Sequence, residues 1–194
     1  MLTIEEMKSY LKSNLKDKRY THILGVADTA KELARINGVS EEKAEIAGLA
    51  HDVAKNLSKE RMQEIIKENN LVLSEIEKNN SDLWHSIIAP IVAKEKLKIE
   101  DEEILSAMRW HTTGTENMST LEKIIYIADM IEPSRNFDGV EEIRETTFKD
   151  LDKGVFLGLT HSIKFLLTKD LLIDINTIKA RNYFLFKWNY WIII

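Results

Sequence analysis

Apolar residues recur at spacings of three and four through most of this chain, and little interrupts them. Ile4, Met7, Leu11 and Leu15 mark one stripe; Ile23, Val26, Ala27, Ala30, Leu33 and Ala34 mark the next. That period belongs to helices that bury one face. Only 7 Gly and 2 Pro occur in 194 residues, too little punctuation for a many-stranded sheet. No stretch alternates as a strand does. The chain is therefore expected to be all-α, a single domain over residues 1–194 with several helices around one core. Helices are expected over 3–15, 20–37, 41–54, 59–69, 82–96, 101–111, 120–131, 139–149, 151–168 and 176–190. Ser40 and Ser58 stand as caps. Ser119 and Glu122 form an S-x-x-E capping box, and Pro133 stops the helix it opens.

Composition removes several chemistries. There is no cysteine, so disulfides and thiolate metal sites are excluded, and any metal must be held by His, Asp or Glu. The net charge of −5 argues against binding long nucleic acid, which needs many cations. It leaves room for a small phosphorylated ligand held by a few local ones. The apolar runs fall short of the roughly 20 residues that span a bilayer. The first residues, "MLTIEEMKSYLKSN", are acidic and amphipathic, unlike a signal peptide. A cytoplasmic location is expected.

Five histidines occur, at 22, 51, 85, 111 and 161. His22 borders the apolar stripe of "HILGVADTAKELA". His51 and Asp52 stand side by side in "LAHDVAKN". His85 lies in "DLWHSIIAPIVA", and His111 ends a helix in "AMRWHTTG". Asp129 sits in "IIYIADMI", one of the most apolar windows of the chain. A buried carboxylate is costly unless paired or metal-bound, and a buried imidazole needs both ring nitrogens satisfied. Gathering these groups around metal answers both demands. Imidazole and carboxylate suit iron, manganese or zinc.

This ordered set, H…HD…H…H…D, resembles the HD-domain superfamily of metal-dependent phosphohydrolases. The blocks "RYTHILGV", "LAHDVAKN", "LWHSIIAP", "RWHTTG", "YIADMIEPSR" and "TIKARN" resemble more closely the YqeK family of bacterial HD proteins, over about residues 3–187. The resemblance implies an all-helical HD bundle and two divalent metal ions, most simply a di-iron centre with manganese as the alternative. It implies symmetrical hydrolysis of diadenosine tetraphosphate to two ADP by a metal-activated hydroxide. It also implies that His22, His51, Asp52 and Asp129 hold one metal. Asp52, His85 and His111 hold the other, with Asp52 bridging and catalytic.

Three cations are candidates for the phosphates. Lys55 follows His51 by four residues and Asp52 by three, so a helix puts it on their face. Arg19 precedes His22 by three. Arg135 follows Pro133 in "EPSR". Thr112, Thr113 and Gly114 offer hydroxyls and free N–H groups at the edge of a nucleotide pocket, and Gly114 also suits a helix end. Arg181 and Asn182 either pack the family fold or line that pocket. His161 lies outside the pattern, as a helix residue with a polar partner. Arg109 takes no assigned role. The tail "FLFKWNYWIII", with 187–194 its atypical apolar end, is expected to dock on the core or join a homodimer rather than touch a membrane. Other readings stay open: a nucleotidase, a hydrolase of guanosine tetraphosphate, or a nucleotide sensor without turnover. The H-x-x-G-x-P block of cyclic-dinucleotide phosphodiesterases is missing.

Overall fold

Eleven α-helices follow one another in the computed structural model, which describes residues 1–189. They are α1 (Ile4–Asn14), α2 (Asp17–Asn37), α3 (Glu41–Ala50), α4 (Lys59–Glu68), α5 (Glu75–Asn79), α6 (Trp84–Leu97), α7 (Glu102–Trp110), α8 (Thr120–Ile131), α9 (Val140–Lys149), α10 (Leu151–Thr168) and α11 (Ile175–Asn189). No strand occurs among the described residues, so the expected all-α class holds. None of the described helices is long and apolar enough to cross a membrane.

Local chemistry sets the helix ends. The Ser40 hydroxyl accepts from Lys43 N at 3.2 Å and opens α3. Ser58 does the same for α4 through Arg61 N. At α8 the capping box closes in both directions: Glu122 N donates to Ser119 Oγ, and Ser119 N donates to Glu122 Oε2 at 2.7 Å. Pro133 ends α8 by forcing Glu132 into an extended conformation, ψ 155°.

Two features differ from expectation. The helix expected over 41–54 stops at Ala50. Beyond it the chain winds more tightly, with Val53 N, Lys55 N and Leu57 N each donating to the carbonyl three residues back. The second difference is α5, opened by a Ser74–Glu77 capping box.

Most of the helices share a buried core running from Met7 on α1 to Phe184 on α11, and α4 packs with α6 in a second cluster. At its centre α2 packs on α3 and α8, and α7 packs on α6 and α8. The α2–α3 crossing is close because Gly48 has no side chain: a Cβ there would lie 2.7 Å from Ala27 Cα. The C-terminal end of α3 therefore meets α2 next to His22. At the other end of the fold, Phe184 is buried and the Trp188 ring packs on Phe156, with centroids 5.0 Å apart. Of the tail, Phe184 and Trp188 pack in this way; residues 190–194 lie outside the described residues.

Candidate metal centre and its cavities

Five pieces of chain converge on one point. The start of α2 brings His22, and the turn after α3 brings His51 and Asp52. α6 brings His85, the end of α7 brings His111, and α8 brings Asp129. His22 Nε2 lies 3.1 Å from Asp129 Oδ1, and His51 Nε2 lies 4.0 Å from the same oxygen. Asp52 turns one oxygen each way. Its Oδ2 lies 3.7 Å from His51 Nε2; its Oδ1 lies 3.4 Å from His85 Nε2 and 3.6 Å from His111 Nε2. Among the described residues, two groups are compact enough to hold an ion: His22, His51 and Asp129, and His51, Asp52 and His111.

The tautomers follow from the partners. His51 Nδ1 lies 2.7 Å from the Gly48 carbonyl, His85 Nδ1 2.7 Å from that of Asp82, and His111 Nδ1 2.7 Å from that of Met108. A carbonyl only accepts, so each Nδ1 carries the proton and each Nε2 presents a lone pair. His22 Nδ1 donates to a carboxylate, Glu132 Oε1, at 3.0 Å. Glu132 is itself buried and held by Ser134 N at 2.7 Å and the Ser134 hydroxyl. Gly25 leaves space for it, since a Cβ there would lie 2.8 Å from Glu132 Oε2.

These residues fit a divalent metal. Nε2 of His22 and Nε2 of His51 are buried without a hydrogen-bond donor. The Nε2 atoms of His85 and His111 face each other at 3.2 Å, two lone pairs that repel unless something positive lies between them. His22 Nε2 lies 3.1 Å from a carboxylate oxygen, a contact that calls for a proton or another positive charge between the two atoms. Hydrogen bonding of the outer nitrogen to a carbonyl or carboxylate is how proteins orient metal-ligating histidines.

Charge supports the same picture. Burial holds His51 down to about 4 and His85 to about 3, so both imidazoles are neutral at pH 7. Burial also works against His22 becoming charged, but Asp129 and Glu132 outweigh it and raise its pKa. Burial disfavours the charge on Asp52, yet His51, His111 and His85 hold its carboxyl well below the usual range. Asp129 behaves likewise, with His22, His51 and Arg135 overcoming its burial.

All three candidate phosphate cations reach the cluster. Arg19 Nη1 lies 2.6 Å from Asp52 Oδ2, and Arg135 Nη2 lies 2.5 Å from Asp129 Oδ1. Lys55 Nζ lies 3.2 Å from His85 Nε2. Burial lowers the Lys55 pKa, partly offset by Asp52. Thr112 Oγ1 lies 3.3 Å from His85 Nε2.

Two cavities border the cluster and share Arg135 and Phe137 in their linings. One, of about 660 Å³, is reached past Lys55, Thr112, Thr113 and Arg135 and has apolar walls that include Phe137 and Leu172. The other, of about 630 Å³, is lined by polar groups including Arg19, His22, Ser134 and Arg135. Gly114 lies on neither. It turns the chain at φ +66° after α7, where a Cβ would press on Ala180 and Leu159. His161 stacks on Phe137, centroids 4.5 Å apart, and lines the larger cavity. Arg109 pairs with Glu77 at 2.6 Å and covers the Trp110 ring, a link between α5 and α7. Arg181 bonds Thr160 and lies over Phe156, packing α11 on α10. Asn182 lines neither cavity. Glu132 is the one group in contact with the cluster that sequence reasoning missed.

Paired histidine–aspartate ligands gathered where helices meet define a class of protein. The chain belongs to it: the HD domain family, whose model matches residues 19–134 and so spans the whole cluster from His22 to Asp129. Family membership carries dependence on divalent metal. More particularly, the chain is 41% identical to the symmetrical bis(5'-nucleosyl)-tetraphosphatase of Halalkalibacterium halodurans, over 89% of this chain and 91% of that one. It is 37% identical to the protein of the same description from Bacillus subtilis, over 92% and 96%. A crystal structure from Clostridium acetobutylicum, described as a predicted HD superfamily hydrolase involved in NAD metabolism, superposes with a TM-score of 0.93. It is 45% identical, covering 96% of this chain and 99% of that one. The expected family is thereby borne out.

Proposed function

We propose that this chain hydrolyses diadenosine tetraphosphate symmetrically to two ADP. Close similarity over nearly the full length to two enzymes of that description supports the reading. The observation that carries it is the disposition of Asp52, with one oxygen toward His51 and the other toward His85 and His111, in a cluster bordered by two cavities that share Arg135. A substrate attacked at its middle needs room for a nucleoside on either side of the reacting phosphorus.

His22, His51, Asp52 and Asp129 would hold one divalent ion, and Asp52, His85 and His111 the second, with Asp52 shared. This nitrogen and oxygen set suits iron and manganese alike, and iron is the one that the family resemblance implies. Bound there, the pair supplies Lewis acidity and lowers the pKa of water. The remaining work falls to the chain. Arg19 and Arg135 reach the ligand carboxylates and are within a side chain's reach of any phosphate at the cluster; Arg135 borders both cavities. They balance the charge of the polyphosphate and of the departing ADP. Lys55 and Thr112 stand on the side of the larger cavity and orient the phosphate entering from there. Water adds to the second phosphorus, the bond from that phosphorus to the central bridging oxygen breaks, and each half leaves as ADP.

Product analysis tests this. The protein is purified without oxygen, loaded with ferrous iron and given diadenosine tetraphosphate, and the adenine nucleotides are separated. ADP as the sole product is expected. ATP with AMP would overturn the symmetrical register. Faster hydrolysis of NAD in the same panel would overturn the substrate. Asp52→Ala is expected to lower turnover by at least about a thousandfold while circular dichroism stays helical; near-normal turnover of the metal-loaded variant would remove Asp52 from the mechanism.

A further inference from the structure

The two cavities at the cluster are unlike. The larger has apolar walls, where Phe165 and Leu172 are 51% and 49% exposed. Apolar side chains left open in a cavity gain cover from a nucleoside, whose base presents an apolar face. His161 and Phe165 stand four residues apart on α10 and so share one side of it, with Phe137 packed on His161. Lys55, Thr112 and Arg135 line the same cavity and are suited to the phosphates.

The smaller cavity offers a second base much less. Phe137 is the one apolar side chain among its described lining residues, and that ring is shared with the larger cavity and already packs on His161. Cations stand where the apolar wall would be: Lys16, Lys18, Arg19 and Arg135. The one carboxylate of the lining, Glu132, already accepts from His22. Among the described residues, Arg19 and Arg135 pair with cluster carboxylates, whereas Lys16 and Lys18 are exposed and form no ion pair. Such a lining suits phosphate better than a nucleoside. A phosphate inside a polyphosphate bridge carries about one negative charge, and a terminal phosphate about 1.5 to 2 at pH 7. A chain that ends in phosphate therefore gains more from these cations than one that ends in adenosine.

We propose that the smaller cavity takes phosphate without reading a second nucleoside, so that the protein also hydrolyses mononucleoside tetraphosphates, adenosine 5'-tetraphosphate giving ADP and diphosphate. The inference rests on the proposed function for its cleavage register. Water adds to the second phosphorus from the adenosine, and the bond from that phosphorus to the next bridging oxygen breaks. Diphosphate leaves in place of the second ADP. The oxygen of water stays on the ADP formed, and its hydrogens leave as protons to the products or the solvent.

Three substrates are given to the metal-loaded, full-length protein: diadenosine tetraphosphate, adenosine 5'-tetraphosphate and inorganic tetraphosphate. Nucleotides and diphosphate are separated and counted. The value of kcat/KM for adenosine tetraphosphate is expected to equal or exceed that for diadenosine tetraphosphate. A value lower by about tenfold or more, the size of a lost binding contact, means that the second nucleoside is read and overturns the inference. Inorganic tetraphosphate is expected to be cut about a hundredfold more slowly or less, since it leaves the apolar cavity empty. Cleavage of it at the same rate overturns the division of labour between the cavities. The double variant Lys16→Gln, Lys18→Gln is expected to keep its helical circular dichroism. It should raise KM for adenosine tetraphosphate about three- to fivefold, and more than KM for diadenosine tetraphosphate. An equal change for both substrates, or none, removes the lysines from the terminal phosphate. Cleavage of adenosine tetraphosphate to ADP and diphosphate with the dinucleotide left intact upholds this inference and overturns the proposed reaction. Cleavage of the dinucleotide alone does the reverse, and cleavage of neither overturns both.

Discussion

Each cluster histidine has two jobs for its two nitrogens, and the outer one decides the inner. Glu132 does this work for His22 from 110 residues away. Replacing Glu132 with alanine is expected to lower metal affinity by about 10–100-fold, as loss of such an outer partner commonly does. Glutamine, which still accepts from Nδ1, should restore part of it. A metal titration reads the effect, and equal affinities in all three proteins would leave Glu132 without a positioning role. At this scale the cluster was legible, because histidine and aspartate in apolar helical windows need a reason. Glu132 was not, although it stands in "YIADMIEPSR". A glutamate at a helix end before proline looks like a solvated cap, and only the turn of chain imposed by Pro133 brings it back against α2.

Helices were read from the apolar period, so elements long enough to show that period were found and shorter ones were not. The five-residue α5 carries the same S-x-x-E signature that marked α8, but has too few turns for a stripe. The early stop of α3 was also illegible. Alanine, leucine and valine around His51 suit a continuing helix, and the tighter winding beyond Ala50 emerges only with the site built there. Lys55 reaches the cluster by that winding, which brings it three residues on from Asp52. The α2–α3 crossing depends on Gly48, and the obstacle to a side chain there is backbone, which does not move aside. Gly48→Ala is expected to cost about 1–3 kcal/mol of stability and to spread His22 from His51. The midpoint of urea unfolding measures the cost; an unshifted midpoint would show that the two helices part freely.

For the whole molecule, the buried imidazoles make stability depend on pH. His51 and His85 titrate near 4 and 3 when folded and near 6.5 when unfolded. Between those values the unfolded chain binds more protons, so stability falls as pH drops below 6.5. Each such group contributes up to about 1.4 kcal/mol per pH unit within its window. His22 works in the opposite sense, because its folded pKa is raised, and offsets part of the slope. Melting in the presence of chelator is expected to move down from pH 6.5 to pH 5; a flat or rising midpoint would mean the histidines are charged in the fold. The carbonyls that fix the histidines carry a separate consequence, for the order of assembly. His51, His85 and His111 each bond a carbonyl three residues earlier in their own segment. Their donor nitrogens are therefore aimed as soon as those short segments coil, whatever the rest of the chain is doing. His22 alone waits for two distant helices to dock. On a newly made chain three of the four cluster histidines are therefore oriented by local coiling, and the orientation of His22 is set last, when the end of α8 docks on α2.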